Sequence, residues 1–304
     1  MEDIEKIKKE YKLDEKQYEE MYQNARKIVF QNAKTYKNPT AIIVGGQTGA
    51  GKGGIDVYSK KEFREQNVDS IVIDVDSYRM LHPKGDEIVK KYPTLYNDIT
   101  AQETSPIAKA LLEETIEKGY NFIFEGTMKN TEILETMKKM PKSYKKIVRV
   151  IATSPKESLL TAFERNEAQI NTIGYGRFTK VDVHDFSYEG VAKTLKIIEE
   201  SKVPDRIQIF TRGKDIVSPE LVYDSYNGKN EYNSAYETLL KYRKIDEEKM
   251  KDTIEDRLKK ILNGRTIDTK ELEQREKLRQ KMRMWKYDKK RSNRKIFDSN
   301  TIGF

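Results

Sequence analysis

One short run constrains this chain more than any other: VGGQTGAGKGG, residues 44–54. It follows AIIV at 41–44, a β-branched apolar stretch, and leads into a segment of helical character at 52–66. Gly46, four further residues, Gly51 and Lys52 have the spacing of a phosphate-binding loop, and strand–loop–helix is the context such a loop requires. Glycines let backbone N–H groups converge on an anion, and the helix that follows points its positive end at the same spot. Gly46, Gln47, Thr48, Gly49, Ala50, Gly51, Lys52 and Gly53 are therefore the candidate nucleotide-binding residues, with Lys52 bridging the terminal phosphates. The residue after that lysine is ordinarily Ser or Thr, whose hydroxyl ligates Mg²⁺, and here it is Gly53. Mg²⁺ keeps several waters in its octahedral shell, so a water is expected in the vacant place.

A loop of this kind belongs at the edge of an α/β sheet, and the neighbouring sequence agrees. SIVIDV (70–75), NFIF (121–124), KIVRVIA (146–152) and IQIF (207–210) are short, β-branched or aromatic, and mostly apolar on both faces, as buried parallel strands are. Helical stretches at 52–66, 103–118 and 131–140 separate them. The alternation predicts an α/β fold with a mostly parallel sheet flanked by helices. An amphipathic helix is expected over 15–36, opened by Asp14 and ended by Asn38-Pro39. Beyond about residue 228 the chain becomes charged, helix-forming and poor in Gly and Pro, with a break at Asn263-Gly264. Two domains are expected: residues 1–228 around the sheet, and 229–304 as a helical C-terminal extension with a basic tail.

The net charge of +8 is a property of that tail, because residues 279–295 alone contain nine Lys or Arg against one Asp. Nucleic acid is accordingly an expected partner only through this stretch. The chain has no cysteine, which excludes disulfides, zinc–thiolate sites and thiol nucleophiles. No apolar run approaches the ~18 residues of a bilayer span, and the first 20 residues hold no apolar signal core, so a cytoplasmic protein without membrane contact is expected.

Chemistry-bearing residues gather where the strands end. Asp74 and Asp76 close one strand two positions apart, so both carboxylates share a face at the edge where open α/β sheets bind ligands. One suits accepting a proton from a substrate hydroxyl; the other suits holding metal-bound water. FEGT at 124–127 delivers Glu125 and Thr127 to the same edge. Arg165, late on a helix, and Arg177, after the Gly174-Tyr175-Gly176 turn, suit a closing cationic clamp on a transferring phosphoryl group. His82, before Pro83, reads as shaping a substrate-side turn, and His184 as opening a helix.

In this order and spacing, NPTAIIVGGQTGAGKGG, VIDVDSYRMLHP, GYNFIFEGT, SPKESLLTAFERNE and GRFTKVDVHD resemble the zeta toxins of bacterial toxin–antitoxin systems, from about Asn38 to Arg212. The resemblance implies a P-loop kinase fold and an enzyme that uses ATP or GTP with Mg²⁺ to phosphorylate the sugar 3′-hydroxyl of UDP-N-acetylglucosamine, blocking cell-wall synthesis. It implies the P-loop lysine for Lys52, the catalytic base for Asp76, substrate contacts for Glu125 and Thr127, and phosphate-holding arginines for Arg165 and Arg177. It also implies an antitoxin partner. Weak water-mediated metal contacts fall to Asp74 and Asp76, and His82 joins the substrate side.

Three positions depart from the family pattern. Gly53 replaces the hydroxyl residue. Lys129 stands where an arginine is common, giving a point charge in place of a bidentate fork. Lys109, sixteen residues before Glu125, stands where some relatives place a substrate-contacting glutamate. An ammonium cannot accept sugar hydroxyls as a carboxylate does. The alternative readings are a P-loop kinase of another acceptor (a different nucleotide sugar, a dinucleotide or a nucleic-acid end), or a non-catalytic nucleotide-binding module with a nucleic-acid-binding tail.

Overall fold

The computed structural model describes residues 3–213, 218–228, 230–249, 254–263 and 270–284. Six strands form one sheet: β1 Thr40–Gly45, β2 Ile71–Asp74, β3 Phe122–Glu125, β4 Lys145–Ile151, β5 Arg206–Thr211 and β6 Glu220–Asp224. Their order is β2-β3-β1-β4-β5-β6; all neighbours are parallel except β6, which runs antiparallel to β5. The helices that accompany them are α1 Ile4–Tyr11, α2 Glu15–Phe30, α3 Lys52–Glu65, α4 Gly85–Lys91, α5 Tyr96–Lys118, α6 Glu132–Lys139, α7 Pro155–Ile173, α8 Val181–Ser201 and α9 Ala235–Lys249. This is the mostly parallel, helix-flanked sheet that the strand–helix alternation predicts, with β6 as an addition. Its mixed sequence ELVYD, in which Leu221 is exposed and Tyr223 buried, carries too short a pattern to read.

Side chains alternate across the central strand with period two. Ile42 and Val44 pack with Ile55 and Phe63 of α3, while Ala41 and Ile43 join a larger cluster with Leu111 of α5, Met137 of α6 and Leu195 of α8. Both faces of β1 are therefore dry, and the loop that leaves it at Gly45 starts from a rigid point.

Helix boundaries follow local chemistry. Asp14 caps α2, accepting from Gln17 N at 2.8 Å while Gln17 Oε1 accepts from Asp14 N, a reciprocal capping box. The helix stops at Phe30 rather than 36, because Tyr36 N donates to Gly119 O and Thr35 bridges Tyr120. Helix α5 begins at Tyr96, seven residues before the expected start, held by buried Tyr96 and Ile99 against Ile7 and Tyr11 of α1 and Ile88 of α4.

The chain divides into two compact units, Met1–Lys251 and Asp252–Phe304, so the boundary lies later than the expected 228/229. Helix α9 belongs to the first unit. Its Ala235 and Leu239 are fully buried in the cluster of Ile198, Ile207 and Tyr223, and the Glu199 carboxylate accepts from the Ala235 and Tyr236 amides at 2.6 and 3.0 Å, capping the helix start. The sequence predicts helix here but not that Ala235 and Leu239 pack it into the core of the sheet unit. In the second unit, α10 Ile254–Leu262 and a helix over 270–284 bury Ile261, Leu278 and Met282. The Arg275 guanidinium donates to the Ile261 carbonyl and to Glu271. Most of the basic stretch, from 285 onward, lies outside the described residues.

Arg149, mid-strand on β4, is fully buried. It donates to Gln208 Oε1 at 2.9 Å and Ser59 Oγ at 2.6 Å, pairs with Glu62, and lies 5.1 Å from the Tyr58 ring. Truncation would leave these acceptors unpaired around a cavity. Arg149→Ala is expected to cost about 3 kcal/mol and lower Tm by roughly 10 °C in a thermal melt. An unchanged Tm would show that the network contributes nothing net.

Candidate active site

The parallel register sets the site. Val44 pairs with Glu125 and Asp74 pairs with Glu125, so the glycine loop, Glu125 and Asp74 leave the sheet side by side. All lie at the C-terminal edge of the strands, where open α/β sheets bind ligands.

The loop between β1 and α3 is braced from behind. Gln47 is buried, and its Nε2 donates to Thr153 O at 3.0 Å and Ser158 Oγ at 3.1 Å. Thr153 Oγ1 and Arg212 Nε donate to Ala50 O at 2.8 and 3.0 Å, and Arg212 also holds the Gly49 carbonyl. Because a trans peptide points C=O and N–H in opposite directions, fixing the Ala50 carbonyl turns the Gly51 N–H to the other side. Gly49 (φ +77°) and Gly51 (φ +102°) take left-handed conformations that favour glycine. A Cβ on Gly49 would stand 1.9 Å from the Ser158 carbonyl oxygen, so the loop lies directly on α7. Such a loop can present amides to an anion.

Lys52 opens α3, with its ammonium 3.1 Å from Gly46 O and 3.7 Å from Glu125 Oε1. Beside it, a Cβ on Gly53 would meet nothing within 4 Å among the described residues. One turn further, Asp56 is buried, and its carboxyl neighbours that of Glu125. Burial, and then the neighbouring Glu125, push the Asp56 carboxyl up, so a proton held by the pair resides on Asp56 rather than Glu125. Burial alone would raise Glu125; the Asp56 carboxyl and the Lys52 ammonium outweigh it, and Glu125 stays ionised.

Asp74 caps the 3₁₀ turn Val75–Leu81, its Oδ1 accepting from Asp76 N at 3.0 Å. Burial and the neighbouring Glu125 raise its carboxyl. Asp76 is half-buried and held by two guanidiniums: Oδ1 accepts from Arg79 Nε at 3.0 Å and Oδ2 from Arg177 at 2.8 Å. Burial pushes its carboxyl up, but Arg79 and Arg177 together hold it at about 2. Arg79 is itself fixed to α5 through Asn97 O at 2.8 Å and Thr100 Oγ1 at 2.7 Å. Arg177 comes from the connection between α7 and α8, its amide held by Gln169 Oε1 at 2.9 Å. Arg165 projects from α7 with a buried Nε that has no hydrogen-bond partner among the described residues. Burial and the neighbouring Arg177 push the Arg165 guanidinium down to about 10, against the pull of Asp76, Glu125 and Asp74. Lys52, Asp74, Asp76, Glu125, Arg165 and Arg177 thus share one site, and Thr127 follows, half-buried, after β3.

The remaining expected residues stand elsewhere. His82 is buried: its Nδ1 accepts from Lys84 N at 3.2 Å and its Nε2 lies 3.7 Å from Glu103. Burial and Lys84 hold the ring neutral, at about 4. It therefore shapes the turn into α4 and is closed to a substrate, which corrects its placement on the substrate side. Lys109 is exposed on α5, and Lys129 is exposed with its carbonyl packed where a Cβ on Gly190 would stand 2.3 Å away. In this arrangement both oxygens of Asp76 accept from guanidiniums.

Four residues of this environment were given no role from the sequence. Asp56 and Arg212 are charged residues among many, and Arg79 lies within the quoted VIDVDSYRMLHP motif. Arg243 arrives from α9, donating to Gln47 Oε1 at 3.2 Å and Tyr188 O at 3.1 Å, with its guanidinium 3.9 Å from the Tyr188 ring. Among the described residues, no helix is long and apolar enough to cross a membrane.

Comparison with known proteins adds the following. A family model described as zeta toxin matches residues 23–227. Toxin PezT of Streptococcus pneumoniae is 30% identical over 209 residues, 68% of this chain and 78% of that protein. Toxin zeta of Streptococcus pyogenes is 26% identical over 201 residues, 65% of this chain and 69% of its own length. A solved structure from the PezAT chromosomal toxin–antitoxin system of Streptococcus pneumoniae superimposes with a TM-score of 0.69 at 26% identity, covering 82% of this chain and 98% of that one. A complex of AvrRxo1-ORF1 with AvrRxo1-ORF2 superimposes with a TM-score of 0.55 at 13% identity over 75% of this chain and 72% of that one, which shows a shared fold.

Proposed function

Because the chain belongs to the zeta toxin family, we propose that it is a toxin kinase that transfers the γ-phosphoryl group of ATP or GTP to an alcohol. The acceptor we favour is the 3′-hydroxyl of UDP-N-acetylglucosamine. The observation that carries this reading is the convergence of a braced glycine loop, a carboxylate and two arginines on one sheet edge. A module that only bound a nucleotide would need the loop alone.

In this reading the loop amides and Lys52 hold the β- and γ-phosphates. The acceptor hydroxyl donates to Asp76, and its oxygen forms a bond to the γ-phosphorus as the bridging bond to the nucleoside diphosphate breaks. The hydroxyl proton passes to Asp76. With Arg79 still bound to its other oxygen, the Asp76 carboxylate orients the hydroxyl and takes the proton late, as a loose phosphoryl transition state allows. Arg165, whose Nε has no hydrogen-bond partner among the described residues, and Arg177 neutralise the phosphoryl oxygens in flight. Arg177 leaves Asp76 to do so, which frees one carboxylate oxygen for the hydroxyl. Mg²⁺ bound with the nucleotide would neutralise charge between the β- and γ-phosphates, held through carboxyl oxygens at the same edge.

The solved relative comes from a toxin–antitoxin system, and an antitoxin partner is proposed here on that basis. The test is incubation with ATP or GTP, Mg²⁺ and a panel of nucleotide sugars, dinucleotides and nucleic-acid ends, followed by mass spectrometry. Phosphorylated UDP-N-acetylglucosamine is expected. Product only on another acceptor would retain the kinase and replace the substrate, and no product on any acceptor would overturn the proposal.

A further inference from the structure

We propose that Asp56 takes the place of the missing P-loop hydroxyl, so that the Asp56–Glu125 carboxyl pair holds the divalent cation that arrives with the nucleotide. This rests on the phosphotransferase reading and assigns its metal site to residues particular to this chain.

The vacancy is real space. Among the described residues a Cβ on Gly53 would meet nothing within 4 Å, so none of them has collapsed into the volume a Ser or Thr side chain would fill. Asp56 lies three residues further along α3, on the same helix face. Helical side chains lean toward the helix N-terminus and cover the turn before their own Cα, so Asp56 reaches back toward the turn that holds Gly53. Asp56 is 7% exposed, and among the described residues no donor reaches its Oδ1. Its neighbour is another acceptor, the Glu125 carboxylate, set by the sheet register beside Val44 at the foot of the glycine loop. Asp56 is buried and Glu125 half-buried, with the Lys52 ammonium 3.7 Å from Glu125 Oε1, and two carboxyls set this close need either a shared proton or a further cation beside them.

The other acidic residues at this edge are otherwise engaged. Asp74 Oδ1 accepts from a backbone amide, and Asp76 is held by Arg79 and Arg177. Among the described residues no three His, Asp or Glu side chains converge as a protein-only metal cage. Mg²⁺ does not ask for one, since it takes one or two carboxylates and completes its shell with phosphate oxygens and water. A carboxyl pair at the loop's foot, short of a full cage, fits that demand.

The experiment measures binding rather than turnover. Mn²⁺ is titrated by electron paramagnetic resonance into the full chain saturated with a non-hydrolysable ATP analogue, and nucleotide affinity is measured separately in EDTA. Asp56→Asn is expected to weaken Mn²⁺ binding about tenfold or more while nucleotide affinity in EDTA stays within about twofold. Adding Gly53→Thr to that variant is expected to recover most of the loss. Gly53→Thr alone is expected to change Mn²⁺ affinity by less than about twofold, because the position is already served. Asp56→Asn binding Mn²⁺ like the native chain, or Gly53→Thr alone tightening it tenfold, would overturn the proposal. Should Asp56→Asn fail to fold, the single Gly53→Thr variant decides. A native chain that binds no nucleotide, with or without Mn²⁺, removes the phosphotransferase reading and this inference with it.

Discussion

Asp76→Asn is expected to reduce phosphoryl transfer by about 10³-fold while nucleotide affinity stays within a few-fold. The amide occupies the same volume but cannot take the acceptor's proton. It also turns an N–H₂ toward one of the two guanidiniums that now donate to the carboxylate, Arg79 at 3.0 Å or Arg177 at 2.8 Å. Arg79 keeps its anchors on Asn97 and Thr100, so the turn itself survives. Arg177 loses its resting partner and is freed toward phosphate, which is why binding is spared. Single-turnover kinetics with a nucleotide titration separate the two effects. Turnover within tenfold of the native chain removes Asp76 from the proton-accepting role.

Gly49→Ala is expected to weaken nucleotide binding more than 100-fold and to destabilise the chain by about 3 kcal/mol or more. Two costs combine. The residue sits at φ +77°, where a Cβ is strained, and that Cβ would lie 1.9 Å from the backbone oxygen of Ser158. Helix α7 cannot yield, because Ser158 is also tied to Gln47. The loop must lift instead, losing the Arg212 bonds to Gly49 and Ala50. Gly53→Ala is the matched control. With open space around it inside α3, alanine there is expected to raise helix stability by up to about 1 kcal/mol and leave nucleotide affinity in EDTA unchanged. A thermal melt and a nucleotide titration on both variants check the pair, and equal behaviour would refute the packing argument.

The five parallel strands were readable because they are buried on both faces and therefore mostly apolar, Arg149 in β4 and Gln208 in β5 being the buried polar exceptions. The glycine loop, the two aspartates after β2 and Glu125 after β3 were readable because strand ends at one edge converge by topology. Long-range partners were not. Asp56 meets Glu125 across 69 positions, and Arg243 reaches Gln47 across 196. In a chain with 58 Lys and Arg, no local pattern marks the few that turn inward. His82 misled for a related reason: a His-Pro pair marks a turn, but only packing against Glu103 shows which way the ring points. Helix α9 was expected as a helix but assigned to the C-terminal extension, since nothing local shows that Ala235 and Leu239 pack into the core of the sheet unit.

Arg243 gives α9 a consequence for inheritance. The helix lies beyond the segment matched by the family model, yet its guanidinium holds the glutamine inside the glycine loop. Recombination that exchanged C-terminal segments near 228 would deliver a foreign partner to Gln47 and uncover the core beneath Ala235 and Leu239. A crossover near 251, where the first compact unit ends, would carry the loop and its brace together. Mutations in α9 are therefore screened by the same selection that acts on the glycine loop, although the two are separated by most of the chain.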